Sequence, residues 1–313
     1  MADGAPRVER DGDVVRITMV RAARRNALSR EHLTQLLAAV TEAGGTDATG
    51  IVLAAEGPVF SAGHDFADVA GKPLTEVRSL LRLCTDLMSA IQDVPQVVVA
   101  RVHALATAAG CQLVASCDLA VAAESAGFAA PGGKGGWFCH TPMVAIARNV
   151  GRKRAMELAL TGDVIDARTA LDWGLVNRVV PDAGLDAAVD DLLARATRGS
   201  RASKAWGKQT MYAQLDRPQG DAYATAIEVM AAASQLDGAR EGMAAFLEKR
   251  PPVWTDWRGD QRTRGPKRTS TPGENSTLSG RPSIASPAAA VRSSSSPRSE
   301  ASCRGHSGCS FGQ

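Results

Sequence analysis

Two apolar runs in this chain, residues 50–54 and 96–102, are each followed by a turn of small residues. Both runs are rich in β-branched and other apolar side chains, which is typical of buried strands. The turn after the second run leads into an apolar, helix-forming segment at residues 105–118. A strand, a helix and another strand in this order favour parallel pairing through a right-handed crossover. The first part of the chain is therefore predicted to be an α/β structure.

The hydrophobic pattern predicts most of the remaining elements. Strands are predicted at residues 14–20, 51–53, 96–102, 119–122 and 127–130. Helices are predicted at residues 31–40, 74–92, 145–149, 152–160, 167–173, 185–197, 203–214 and 221–247, with Ser29 as the N-cap of the first. The glycine-rich stretch 131–136 is predicted to be a mobile loop or backbone lying against a ligand. Strands mixed with helices, followed by helices alone, indicate an α/β core with a helical lobe.

The two small-residue turns have the chemistry of an oxyanion site. Ala106, Ala108, Ala109 and Gly110 allow close approach of a ligand to the backbone, and a helix beginning there directs unpaired N–H groups at it. The turn within 58–66 offers further backbone donors, so that both turns together could hold one developing oxygen anion. The alternative is a small-residue helix packed tightly in a core.

Several segments, in order, resemble the enoyl-CoA hydratase/isomerase (crotonase) superfamily. They are Arg25-Asn-Ala-Leu-Ser29, Phe60-Ser-Ala-Gly-His-Asp65, Ala106-Thr-Ala-Ala-Gly-Cys-Gln-Leu113 with Cys117-Asp118, and Leu160-Thr-Gly-Asp-Val-Ile-Asp-Ala167 through Val179-Val-Pro181. The likeness covers about residues 8–254, and the segments 106–117, 138–142 and 246–254 are most similar to one branch of the superfamily.

The resemblance implies an α/β spiral of strand–strand–helix turns, with C-terminal helices that form trimers, often paired as hexamers. Residues 1–200 are accordingly expected to form the spiral core, and residues 201–254 the helical oligomerisation region. It also implies an acyl-CoA thioester as ligand, whose carbonyl oxygen lies between the N–H groups of His64 and Ala109. The residues implied along the coenzyme A path are Arg25, Ala27, Ala62, Asp65, Phe66 and Gly110, with Phe246 and Lys249 closing it from the last helix. For Lys249 the alternative is a solvated helix end.

The resemblance also identifies a departure from the family pattern. A hydratase of this family uses two glutamates, and this chain has Gln112 and Gly132 at those positions. An amide is not a base at neutral pH, and glycine has no side chain. His64 and His140 have a suitable pKa for proton transfer, but contact with coenzyme A or solvent is the favoured interpretation of His64, and a structural one of His140. Cys111 and Cys139 are likewise interpreted as buried, structural residues.

Composition separates the end of the chain from the rest. Residues 255–313 contain 13 serines and nine Lys or Arg against four Asp or Glu, and almost no large apolar side chains after Trp257. This predicts a disordered tail, and the net charge of +3 is a property of this tail rather than of a nucleic-acid-binding fold. Neither an apolar N-terminal core nor a membrane-spanning run is found in the sequence, which predicts a cytoplasmic protein with free thiols. No metal or separate cofactor is implied, because coenzyme A is part of the substrate.

Three functions remain open from the sequence. The first is an acyl-CoA-binding protein of fatty-acid metabolism in the enoyl-CoA hydratase/isomerase, or lyase, class. The second is a different reaction of a CoA thioester, such as isomerisation or hydrolysis, that uses His64 or His140. The third is a non-catalytic acyl-CoA sensor or scaffold, which the replacement of both glutamates favours.

Overall fold

A computed structural model describes residues 4–255, which form two sheets and a set of surrounding helices. The strands are β1 Arg7–Asp11, β2 Val14–Met19, β3 Gly50–Ala55, β4 Val97–Val102, β5 Ala106–Thr107, β6 Leu119–Ala123, β7 Gly127–Ala129, β8 Ile165–Asp166 and β9 Arg178–Val180. The helices are α1 Arg30–Gly44, α2 Leu74–Asp93, α3 Ala109–Ser116, α4 His140–Val150, α5 Arg152–Thr161, α6 Ala167–Trp173, α7 Leu185–Thr197, α8 Arg201–Gln214, α9 Gln219–Ala233 and α10 Asp237–Leu247.

The larger sheet has the strand order β1-β2-β3-β4-β6-β9 and is parallel apart from the β1–β2 pair. Successive side chains of a strand point to opposite faces of the sheet, and in the central strands the side chains on both faces are buried. Val52, Val99 and Val121 pack with Leu185, Val189 and Leu193 of α7 on one face. Ile51, Leu53 and Val98 belong to the main core on the other face. This double burial explains why β3 and β4 are continuous apolar runs in the sequence.

The smaller sheet gives the chain its spiral form. It has the order β5-β7-β8, and Ser61 extends it through a parallel bridge to Ala106. After each of β3, β4 and β6, the chain passes through this second layer, at Ser61, β5 and β7 respectively, and then enters α2, α3 or α4. The predicted spiral of strand–strand–helix turns is confirmed.

Several secondary-structure predictions were incomplete or wrong: the strands β1, β5, β8 and β9 were not predicted, and the helix predicted at 145–149 begins at His140. β1 was missed because its sequence, Arg-Val-Glu-Arg-Asp, is exposed throughout and has no apolar alternation. The single helix predicted at 221–247 is two helices, α9 and α10. The hydroxyl of Ser234 bonds back to the carbonyl of Ala231, and Asp237 begins the next helix, where its charge suits the positive end of the helix dipole.

A buried ion pair attaches the last three helices to the core. Lys208 of α8 contacts the carboxylate of Asp118, at the end of α3, at 2.7 Å. Lys208 also donates to the carbonyls of Ile91 and Gln96 at 2.9 and 2.8 Å. Asp118 additionally accepts from the hydroxyl of Tyr212 at 2.9 Å. α8 is thereby tied to the ends of α2 and α3, and the Lys208 ammonium balances the charge of the buried Asp118 carboxylate, which also accepts from the N–H of Val98 at 2.7 Å.

The outer surface of the same three helices is apolar. Half or more of each of the following side chains is exposed: Met211, Leu215, Tyr223, Ile227, Met230, Met243, Phe246 and Leu247. In the part of the chain that the structure describes, every helix is too short or too polar to span a lipid bilayer. The predicted tail at 255–313 lies, apart from Thr255, outside the described residues.

Candidate active site

The second layer of the spiral brings the two small-residue turns together. Ser61 and Ala106 are neighbours in the smaller sheet, and the N–H of Thr107 donates to the carbonyl of Ser61 at 2.9 Å. Gly110 packs so closely on Ser61 that a Cβ at 110 would lie 2.5 Å from the Ser61 carbonyl oxygen. A Cβ at Gly63 would lie 3.3 Å from the backbone nitrogen of Ala109. The turn at 61–64 is therefore in direct contact with the N-terminus of α3.

Both turns present free backbone donors. Among residues 4–255, the N–H groups of His64 and Ala109 have no hydrogen-bond acceptor. Ala108, immediately before α3, has φ +49° and ψ −117°, a conformation that costs a residue with a side chain about 1–3 kcal/mol. The conformation is held because the N–H of Ala108 donates to Ala129 at 2.9 Å and its carbonyl accepts from Gln112 at 3.0 Å. The strain orients the N–H of Ala109 out of the helix, where the helix dipole favours negative charge.

Most of the residues predicted along the coenzyme A path lie in two adjoining segments. The N–H of Ala62 donates to the carbonyl of Arg25 at 3.0 Å, and residue 28 pairs with His64. Arg25, Ala27, Ala62, Asp65 and Phe66 are thus brought together, and Gly110 adjoins them through Ser61.

Two residues that were not predicted from the sequence hold these segments in place. Asn26 is fully buried with φ +49°, and its amide donates to the carbonyls of Glu56 and Val59. Asn adopts the left-handed conformation more readily than most other residues, and its presence at this position is the sequence signal that could have indicated a turn. Arg24 was also missed, and it pairs with Asp65 at 2.8 Å. The hydrogen bond from the N–H of Ala67 and the Arg24 guanidinium lower the pKa of Asp65, which is therefore ionised at neutral pH.

Phe246 and Lys249 are placed differently from the other predicted residues. Phe246 lies in the last turn of α10, which packs against α8, and its side chain is 82% exposed. Lys249 lies two residues beyond the end of that helix. Within residues 4–255, no hydrogen bond, ion pair or ring contact joins either residue to the segments 25–28 or 61–66. The part predicted for Phe246 and Lys249 along the coenzyme A path stays a prediction.

The two positions at which a hydratase carries glutamates have unequal surroundings. Gln112 is buried on α3, and its side-chain oxygen has no hydrogen-bond partner in the described part of the chain. Gly132 lies in a short 3-10 turn, and its carbonyl accepts from the N–H of Trp137 at 2.9 Å. A Cβ at 132 would overlap the carbonyl oxygen of Trp137 and lie 2.8 Å from the sulphur of Cys139. A glutamate fits at 112 by shape, but at 132 there is no space for any side chain.

The remaining candidate groups differ in their protonation. Burial lowers the pKa of the His64 imidazole, and the Leu28 carbonyl and Asp68 carboxylate oppose this in part, so the ring is neutral at pH 7. Burial raises the pKa of Cys111 to about 12 and also raises that of Cys139, so both are protonated thiols rather than nucleophilic thiolates. His140 begins α4 on the surface, with its ring 5.0 Å from that of Phe138.

One further residue of the site was not found from the sequence. The ring of Trp137 lies 6.1 Å from the His64 ring and 6.2 Å from the Phe66 ring, between centroids. Its position at the end of a glycine-rich segment is the sequence signal that could have identified it.

By contrast, a groove of about 1260 Å³ between β1, β2, α7 and residues 253–255 contains none of the predicted site residues. This groove is therefore not associated with the two turns.

Spiral fold and paired backbone donors together define a protein of the crotonase type, and the comparisons agree. The family described as Enoyl-CoA hydratase/isomerase matches residues 9–258. The chain belongs to this family. Solved structures include an enoyl-CoA hydratase from Mycobacterium smegmatis, with a TM-score of 0.78 and 43% identity over 80% of this chain and 99% of that one.

The particular branch expected from the sequence is also supported. The zebrafish protein Enoyl-CoA hydratase domain-containing protein 3, mitochondrial, is 41% identical over 79% of this chain and 86% of its own length. The structure of human enoyl-CoA hydratase domain-containing protein 3 has a TM-score of 0.77 and 38% identity, over 80% of this chain and 100% of that one. The zebrafish protein's name gives a mitochondrial location, which does not agree with the cytoplasmic location predicted above.

Proposed function

We propose that the chain binds an acyl-CoA thioester of the enoyl-CoA kind, with the thioester oxygen accepting hydrogen bonds from the N–H groups of His64 and Ala109. The observation that carries this proposal is the contact between the two turns, each of which ends in an unpaired donor. Donors of this kind favour the oxygen most strongly when it becomes negative, and one is typically worth about 3–4 kcal/mol in a transition state. Because the donors are backbone groups, they do not depend on the identity of the side chains.

Proton transfer limits what this site can catalyse. Gln112 cannot act as a base, and Gly132 supplies no group at all. General acid–base catalysis contributes about 10²- to 10⁴-fold per group, so ordinary hydration of an enoyl-CoA is expected to be slow. The lyase activity of the family is therefore proposed as weak or altered, in a role connected with fatty-acid metabolism.

Two other functions have specific support. The neutral imidazole of His64, beside the proposed carbonyl position, could accept a proton during isomerisation or hydrolysis of a thioester. A non-catalytic acyl-CoA sensor or scaffold is favoured by the protonated thiols and the missing carboxylates. For the assembly, we propose a homotrimer or hexamer, since the apolar outer surface of α8–α10 is suited to contact between subunits.

Binding can be tested by changing only the ligand. Calorimetry would compare butyryl-CoA with its thioether analogue S-butyl-CoA, which lacks the carbonyl oxygen. Two hydrogen bonds of ordinary net strength predict that the thioester binds roughly 5- to 150-fold more tightly. Equal affinity would exclude the proposed role of His64 and Ala109, and lack of any binding would exclude the acyl-CoA ligand.

Catalysis can be tested with crotonyl-CoA and a longer 2-enoyl-CoA, by following the absorbance of the conjugated thioester. The matched variant is Gln112→Glu, which preserves the shape of the buried side chain. Slow turnover by the wild type and faster turnover by the variant would support lost hydratase chemistry. Fast turnover by the wild type would require another base, and His64→Gln would then identify or exclude the imidazole.

A further inference from the structure

The glycine-rich segment beside the proposed site has a defined shape. The N–H groups of Gly135 and Trp137 both donate to the carbonyl of Gly132, at 3.1 and 2.9 Å. Lys134 pairs with Asp163 across the surface. These bonds close residues 131–137 into a compact turn, which we call the glycine turn. Of the two alternatives predicted from the sequence, a mobile loop or backbone lying against a ligand, these bonds favour an ordered backbone.

The glycine turn carries one large side chain, and it presents this side chain to the oxyanion turn. The centroid of the Trp137 indole lies 6.1 Å from that of the His64 ring and 6.2 Å from that of the Phe66 ring. His64 is also the residue whose backbone N–H is proposed to hold the thioester oxygen. Trp137 is 36% exposed, so most of its surface is covered. The three rings form a continuous aromatic wall next to the position proposed for the thioester oxygen.

The position of the indole depends on the absence of a side chain at 132. The Trp137 carbonyl occupies the space that a Cβ at 132 would need. A residue larger than glycine would push the segment 137–139 outward and would carry the indole with it. The same geometry that removes the second carboxylate from the site therefore places an aromatic ring there.

We infer that Trp137 is a specificity-determining residue that limits the size of the acyl group. The inference rests on the proposed binding of acyl-CoA thioesters. A carbonyl held by the N–H of His64 has its neighbouring acyl carbons beside the same residue, within contact of the aromatic wall. In this arrangement a short, flat acyl group would pack against the indole, and a longer chain would have to pass it. The wall favours apolar carbon over water, because the only hydrogen-bonding atom of an indole is its N–H.

The test uses three variants of the full chain and three ligands. Trp137→Ala removes the wall, Trp137→Phe retains a smaller ring, and Trp254→Ala removes a similarly exposed tryptophan, 42% exposed, outside the site. Calorimetry would measure binding of free coenzyme A, butyryl-CoA and dodecanoyl-CoA to each protein. Circular dichroism would confirm that each variant is folded, and Trp137→Phe keeps the test decisive if the alanine variant is not.

The expected result is a change in chain-length preference without a change in coenzyme A affinity. The wild type and Trp254→Ala should prefer butyryl-CoA, and Trp137→Ala should raise the dodecanoyl-to-butyryl affinity ratio by at least about tenfold, with Trp137→Phe between them. An unchanged ratio would overturn the inference while leaving the acyl-CoA proposal intact. An equal loss for all three ligands would overturn it too, since Trp137 would then serve only the coenzyme. Failure of every ligand to bind the wild type would instead refute the proposed function.

Discussion

Replacement of Lys208 by methionine should destabilise the protein strongly, because it leaves a buried carboxylate without its cation. The Lys208 and Asp118 side chains are only 9% and 14% exposed and are 2.7 Å apart. Removing one partner of a buried pair typically costs about 3–5 kcal/mol. Asp118 retains hydrogen bonds from the N–H of Val98 and the hydroxyl of Tyr212, which favours the lower part of that range. The carbonyls of Ile91 and Gln96, which lose their donor, raise the cost again.

The assay is thermal and urea unfolding at one fixed protein concentration, because any association of subunits would add to the apparent stability. For a domain of this size, the expected loss corresponds to a fall in Tm of roughly 6–20 °C. Lys153→Met, an exposed change on α5, is the matched control and should have little effect. The double variant Lys208→Met/Asp118→Asn should recover part of the loss, since no buried charge remains. A fall no larger than that of the control would refute the reasoning that this pair anchors α8.

The effects of three further substitutions can be predicted from the structure. Gly110→Ala should separate the two turns, since its Cβ would lie 2.5 Å from the Ser61 carbonyl. The free energy of unfolding measured in urea should fall by about 1–3 kcal/mol, and calorimetry should show weaker binding of butyryl-CoA. Unaltered binding would contradict this reasoning. His32 is buried and its pKa is lowered to about 4 by burial and the charge of Arg21, so the unfolded chain binds the extra proton between pH 6.5 and 4. Stability should therefore fall by about 1.6 kcal/mol more in the wild type than in His32→Leu from pH 6.5 to 5, and equal pH profiles would exclude the effect. Met230→Asp, at a side chain 78% exposed, should reduce the assembly size in analytical ultracentrifugation, and an unchanged sedimentation coefficient would exclude α9 from the subunit interface.

The elements predicted correctly are those whose sequence signal is local. β3 and β4 are apolar because both of their faces are covered, and Ser29 caps α1 by accepting from the N–H of His32. α6 has the predicted bounds, since Asp166 caps its start and Gly174 ends it in a left-handed conformation. β1 has no such signal, because strand pairing rather than burial determines its structure.

The site was predictable only in its backbone. Small residues at two turns indicate close approach, and Gly63 and Gly110 do lie where the turns touch. The contacts of Trp137 and Asn26 are made with segments distant in the sequence, and no periodicity encodes them. Likewise, the sequence identified the loss of a carboxylate at Gly132 but gave no indication that the space for it is filled.

Because the space beside Gly132 is filled, the replacements of the two family glutamates by Gln112 and Gly132 are not equivalent. At Gln112 the buried side chain keeps the length of a glutamate, so a single substitution could return a carboxylate to α3. At Gly132 a glutamate would first have to displace the Trp137 carbonyl and the Cys139 thiol, and the indole would move away from His64 and Phe66. Restoring the second carboxylate would therefore dismantle the aromatic wall. A site with an aromatic wall and backbone donors is suited to hold a thioester oxygen beside apolar carbon. Hydratases of this family use two glutamates for proton transfer during the addition of water, and only one of the two positions here has room for such a side chain.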